Sequence, residues 1–456
     1  GSYSVVGNIS QLPDTSAAPQ YTLSGDAGGG KTSVNIQSGT VTGSVFGGGM
    51  GESKDITVGA VGSSTSVKIG GSSNSPTVNG SIYGGGENGF VSGFLLTYDK
   101  NNLSMEQIED RGTKTNTYSL KFSITYGARA ALGTSSVAVY NLNENKTENK
   151  TNIYGGGYGA NASVTASTDV TISGGTVFSV YGGGELGAVG NPVQGTKYKV
   201  LTGGETNVEL IGASAGDTAT KVTVLGSVYG GGEGLLKGQK LELNKPTSSN
   251  SENTDSETTF DSRSSISEKS IIASVRYGQV LGDVVGTLSK NTEGNDQITT
   301  EGNAAYVTIG KDVTVTDSVF GGGKLAILGG FEYIENGNEI TGKFTGKATV
   351  VHISGNVNGN VFGGGEGHAS GAVSGSVKDT LVIIDGSAEI GGNLEVVSPI
   401  GLPISSGNVY GGGSLSITGN FEFKNLWDMY RPEDVDPVTG NYNTSRTDVI
   451  ITGGTI

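Results

Sequence analysis

Four glutamates in this chain occupy one repeated position. Glu87, Glu185, Glu233 and Glu366 each follow a run of three glycines, and an aromatic residue precedes each run. Stacked carboxylates repel one another, and Ca²⁺ is the hard, oxygen-seeking ion that relieves such repulsion, so Glu185 and Glu233 are the candidate rungs of a calcium ladder. Other copies carry Met50, Tyr158, Lys324 and Ser414 at the same place. The competing reading is therefore a column of solvated, outward side chains that holds no cofactor. The chain has two histidines. His352 alternates with Val351 and Ile353 and is expected to point outward. His368 follows Glu366 and Gly367, but no pair of aspartates stands at a plausible place on neighbouring repeats to complete an acid–base set. No catalytic residue is assigned. The segment holding Phe421, Phe423, Trp427, Met429 and Tyr430 is the most aromatic insertion, which makes Trp427, Tyr430, Phe421 and Phe423 the candidate binding residues.

The glutamates are positioned by a unit written eight times: Val or Ile, an aromatic residue, then Gly-Gly-Gly. The aromatic residues are Phe46, Tyr83, Tyr154, Tyr181, Tyr229, Phe320, Phe362 and Tyr410, and the middle glycines are Gly48, Gly85, Gly156, Gly183, Gly231, Gly322, Gly364 and Gly412. A motif held that tightly amid varied surroundings marks one structural unit repeated in space. Before it lie alternating segments such as Val34-Asn35-Ile36, Val67-Lys68-Ile69, Val170-Thr171-Ile172 and Val351-His352-Ile353, whose period-two, β-branched pattern predicts strands. The shortest spacing between motifs, Tyr154 to Tyr181, is 27 residues. Three short strands and three corners fill that length, as in one turn of a parallel β-helix.

The expected fold class is therefore all-β, a parallel β-helix of about 8–10 coils, right-handed by the usual crossover preference. Coils stacked about 4.8 Å apart would pair every backbone group and enclose a continuous Val/Ile core. The glycine triplet predicts a corner that needs positive φ or close backbone approach. In an extended Ser-Val-Tyr the Val and the Tyr point to opposite faces. The expectation is an aromatic ladder packed structurally, and the alternative is an exposed aromatic stripe.

Composition narrows the partners. Forty-three acidic against 28 basic residues give a net charge of −15, which argues against nucleic acid and anionic membrane surfaces. No apolar run is long enough to span a bilayer, and the absence of cysteine removes disulfides, thiolate metal sites and thiol nucleophiles. Residues 1–20 are expected to form an N-terminal strand or linker, with Gly1-Ser2 read as a cloning scar. Residues 21–456 form a single solenoid with inserts near 90–133, 235–302, 324–345, 387–407 and 415–446. Insertions leaving from one corner gather on one side, which becomes the expected binding face. Segments 119–126 and 271–281 are β-branched enough to add hairpins or unmarked coils. Thr447–Ile456 aligns with Thr168–Val177, after which the motif follows, so the chain is expected to be part of a longer protein that continues into further repeats.

The glycine-rich coils, the [VI]-[YF]-Gly-Gly-Gly corners, the missing cysteine and the acidic balance together resemble the parallel β-helix regions of large secreted or surface-displayed bacterial adhesin-like proteins. That resemblance implies export, display on the cell surface, a monomeric stalk, and a glycan or host surface protein as partner. The glycine runs also resemble the calcium-binding nonapeptide repeats of secreted toxins, but the Asp those repeats need after the glycines is missing. Glu366-Gly367-His368 is similar to a fragment of the polygalacturonase motif. The rival readings are accordingly a carbohydrate-active enzyme, a polysaccharide lyase or glycoside hydrolase, on the same scaffold, and a phage tailspike-like receptor binder, which would be a trimer.

Overall fold

The computed structural model describes residues 8–11, 20–24, 30–51, 59–71, 73–91, 94–110, 113–125, 133–144, 150–160, 162–192, 200–202, 204–212, 221–234, 289–290, 296–297, 303–336, 339–367, 374–391, 396–397, 403–404, 406–423 and 446–456. Among these residues the fold is all-β, and its three main sheets are parallel. Each alternating segment supplies one strand to a nine-stranded sheet, in chain order from Thr32–Ile36 through Ser64–Ile69, Thr134–Val139, Thr168–Ile172, Thr206–Leu210, Asn303–Ile309, Ala348–Ile353 and Thr380–Ile384 to Thr447–Ile451. Each aromatic motif supplies one two-residue strand to an eight-stranded sheet, from Val45–Phe46 to Val409–Tyr410. A third sheet of five strands, Gly175–Val177 to Glu389–Ile390, lies between them in sequence.

Register is kept from repeat to repeat because the side-chain period is two. Val137 pairs with Val67 and Val170, and Val170 with Val208. A slip by one residue would turn every inward side chain outward. Val67, Val137, Val170, Val208, Val307, Val351 and Val382 from the long strands meet Ile82, Ile153, Val180 and Val228 from the corner strands and Val177, Val224, Val315 and Val357 from the third sheet in one buried cluster. One apolar core is thus shared by all three parallel sheets.

The glycine triplets are set by close approach rather than by positive φ. Among the described glycines with positive φ, none belongs to a triplet that follows a corner aromatic residue. A Cβ placed on Gly183 would lie 2.7 Å from the amide nitrogen of Gly232, and one on Gly85 would meet Gly157 at the same distance. Both obstacles are backbone atoms of the next repeat, locked in place by Gly183 N–H donating to the Gly231 carbonyl and Gly85 N–H to the Gly156 carbonyl.

All five inserts carry antiparallel strands, Ser289–Lys290 pairing with Asp296–Gln297 in the longest of them, and Asn191–Pro192 pairs antiparallel with Val200–Thr202 outside them. Phe94–Asp110 and Thr113–Thr125 form a hairpin that includes most of segment 119–126, and Gln20–Ser24 and Asn8–Gln11 extend it into a four-stranded sheet. Gly329–Asn336 and Glu339–Gly346 form a second hairpin, and Phe421–Phe423 from a different insert pairs with it. Val396–Val397 pairs with Pro403–Ile404. Segment 271–281 and most of the 235–302 insert lie outside the described residues.

Candidate functional site

The eight aromatic residues form a second core. Consecutive rings from Phe46 to Tyr410 stack with centroids 4.6–5.0 Å apart and planes within 2–8° of parallel. Tyr83, Tyr154, Tyr181, Tyr229, Phe320 and Phe362 are buried in a cluster separate from the Val/Ile core. Val180 and Tyr181 are both buried, on opposite faces of one strand. The ladder is therefore internal, and its rings are closed to sugar stacking except at its two ends, where Phe46 is only partly buried and Tyr410 is 39% exposed.

A buried phenol needs a hydrogen-bond partner, and here it is the glutamate column. The Tyr83 hydroxyl donates to Glu185 Oε2 at 2.5 Å, the Tyr154 hydroxyl to Glu233 Oε2 at 2.5 Å, and the Tyr229 hydroxyl to Glu366 Oε2. Tyr181 bonds Glu233 as well. The residues after the triplets bridge to one another in parallel, Glu185 to Glu233, Glu233 to Lys324, and Lys324 to Glu366. Lys324 Nζ reaches Glu233 Oε1 at 2.9 Å. Burial pushes the Glu185 and Glu366 carboxyls above the usual carboxylate range, against the tyrosine hydrogen bonds that favour the ionised form. Burial together with the neighbouring carboxylates drives the phenols far above their ordinary value.

Glu185 and Glu233, the candidate calcium rungs, thus stand next to each other with phenols and one lysine as their partners. Among the described residues no group of three or more His, Cys, Asp and Glu side chains is gathered as a metal centre would require. On the outer face of the long-strand sheet, His352 Nε2 lies 2.8 Å from Asp385 Oδ2, and the Ser354 hydroxyl donates to Asp385 Oδ1 at 2.6 Å. Both partners bind the aspartate, so the histidine is not placed to take the serine proton, and the trio lacks the order of a nucleophilic triad. The Ser354 and His352 hydrogen bonds hold the Asp385 carboxyl below its usual range. His368 lies outside the described residues. Of the aromatic insert, Phe421 and Phe423 fall on the strand paired with Glu339–Gly346, whereas Trp427 and Tyr430 lie outside the described residues.

Two further columns escape a reading by motif. Thr65, Thr168, Thr206 and Thr349, each near the start of a long strand, donate across their repeat to the first glycine carbonyl of the triplet at 2.5–2.6 Å. Their signal is a Thr at the first inward position of the alternating segment. The Ser or Asn before the corner strand accepts the backbone N–H of its counterpart one repeat on, Asn152 from Ser179, Ser179 from Ser227 and Asn360 from Asn408.

The chain matches no protein-family model, no curated protein and no solved structure. No helix among the described residues is long and apolar enough to cross a membrane.

Proposed function

We propose that the three parallel sheets close into a right-handed β-solenoid that serves as the stalk of a secreted or surface-displayed bacterial protein, without enzymatic activity, and that its inserts bind a glycan or a host surface protein. The observation that carries this reading is the register kept through nine parallel strands, with one shift at Asn303/Ala305, which at about 4.8 Å per strand makes a rod of roughly 40 Å. A rod whose aromatic ladder and valine column are both internal has spent its apolar residues on stiffness. Contact with a partner then falls to the inserts, and the pairing of Phe421–Phe423 with the 329–346 hairpin brings two of them together. Export and surface display come from the resemblance of the repeat to adhesin-like β-helices.

A glycan-array screen of the purified chain, with and without Ca²⁺ and with recovered glycans checked for cleavage, tests the proposal. Retention of intact glycans that is lost in Phe421→Ala and Trp427→Ala variants supports it. Released reducing ends or unsaturated products would establish the enzyme instead, and a stable trimer on sedimentation would favour the receptor binder.

A further inference from the structure

At the six corners that have a motif two repeats further on, from Phe46 to Phe320, the choice between tyrosine and phenylalanine follows the residue after that later glycine triplet. Tyr83, Tyr154 and Tyr229 meet Glu185, Glu233 and Glu366, each two repeats ahead. Tyr181 has Lys324 at that place, and its hydroxyl turns to Glu233, the carboxylate that also holds the lysine. Phe46 and Phe320 have the uncharged Tyr158 and Ser414 two repeats ahead. Where a charge waits, the corner carries a hydroxyl, and where none waits it does not. Ring stacking alone gives no reason for this, since Tyr and Phe stack equally well in the same column.

We infer that the corner tyrosines and the glutamates after the triplets form a staple in which the Tyr83, Tyr154 and Tyr229 rungs each tie their repeat to the second repeat beyond, and that proton uptake by this column tightens the stack. The reach is the physical point. Backbone pairing joins only adjacent repeats, whereas the Tyr83, Tyr154 and Tyr229 rungs each span three, so opening one repeat breaks more than its neighbouring contacts and the repeats are coupled beyond nearest neighbours. The groups that face one another are Tyr83, Tyr154, Tyr181, Tyr229, Glu185, Glu233, Glu366 and the Lys324 ammonium, with Tyr158 beside Tyr83 and Asp317 acting on Glu366. One lysine among three half-buried or buried carboxylates leaves negative charge out of water. A proton on Glu185 or Glu366 removes that charge, and the phenol still finds a carboxyl oxygen to donate to.

The sign follows from burial. Glu185 and Glu366 titrate above their ordinary value of 4.5 in the folded chain, so folding takes up protons in that window. Stability from these groups is fully present below about 4.5 and is lost as pH rises through their folded values. The test is thermal unfolding of the whole chain at pH 5.0 and 7.5, for wild type, Tyr229→Phe, Glu366→Gln and the pair Phe320→Tyr with Ser414→Glu. Tyr229→Phe is expected to lower the melting temperature by about 2–4 °C at pH 7.5 and by less at pH 5.0, because burial shifts the Glu366 carboxyl upward and a smaller share of the acceptor it orphans is ionised at the lower pH. Glu366→Gln is expected to reduce the gain that wild type shows on acidification. Ser414→Glu alone should destabilise at pH 7.5, and adding Phe320→Tyr should restore part of the loss by building a new rung. Equal losses for Tyr229→Phe at the two pH values, or no coupling between positions 320 and 414, would overturn the inference.

Discussion

The inner core and the corner column run side by side through the same repeats, yet they restrict sequence in opposite ways. At one inward position of the long strands the chain uses Ile69, Val139, Ile172, Leu210 and Ile309, all buried in a single cluster. Apolar contact is non-directional, so any branched aliphatic side chain of similar volume serves. At the corner the backbone of the next repeat lies 2.7 Å from where a Cβ on Gly183 would stand, and no residue but glycine fits. The core asks for volume; the corner asks for an absence of volume, followed by a directed hydrogen bond. A repeat can drift in sequence along its core and still stack, but it cannot drift at its triplet.

The largest expected effect is in the core. Ile172→Ala removes buried methylenes at a fully buried position and should cost about 2–5 kcal/mol in chemical denaturation, whereas Ile172→Leu should cost less than about 1.5 kcal/mol. Gly183→Ala comes next. It adds a single methyl group, but against backbone, and is expected to cost about 1–3 kcal/mol. The comparison stands if the one added methyl at Gly183 costs more than the reshaped side chain at Ile172. It breaks if Gly183→Ala is neutral, since the triplet would then not be a site of enforced contact.

Much of this was legible in the sequence. Eight spaced motifs and the alternating Val/Ile segments were enough to read parallel stacking, because a period of two and a fixed repeat leave few ways to bury the apolar face. The triplet was legible as a corner, but positive φ and close approach produce the same glycine, and only the position of the Gly232 backbone decides between them. The tyrosine partners were not legible. A hydroxyl that bonds two repeats away links Tyr83 to Glu185 across 102 residues, and nothing local in either segment signals the other. The shared position of the glutamates after the triplets is legible; the phenols of earlier corners that reach Glu185, Glu233 and Glu366 are not. Composition alone singles out the aromatic insert, and composition does not say that Phe421 and Phe423 join a hairpin from another insert.

A smaller effect tests how the corner is tied to the opposite sheet. The Thr206 hydroxyl is fully buried and donates to the Gly230 carbonyl at 2.6 Å. Thr206→Val keeps the shape and removes the donor, leaving a buried carbonyl short of one partner at a cost of about 1–2 kcal/mol. The sixth repeat has Ala305 in register with Thr206, so that repeat closes without this bond. Ala305→Thr offers the converse variant, and a gain in midpoint there alongside a loss in Thr206→Val would show that the bond, rather than the local packing, sets the difference.

The smallest effect is expected outside both columns, and its sign is opposite. Asp385 is held below its usual range by Ser354 and His352 on the solvent face, so its contribution is present above the ordinary value of 3.8 and is lost as pH falls through the lower folded value. Because the trio is open to solvent, water and salt screen it, and Asp385→Asn should leave the melting temperature at pH 7.5 nearly unchanged. Buried carboxylates in the corner column gain stability on acidification while this exposed one loses it, so the two regions separate on a single pH series. If Asp385→Asn abolished the rise in stability between pH 7.5 and 5.0, the proton-linked group would lie on the outer sheet, and the distinction between an adaptable core and a directed corner would have to be drawn elsewhere.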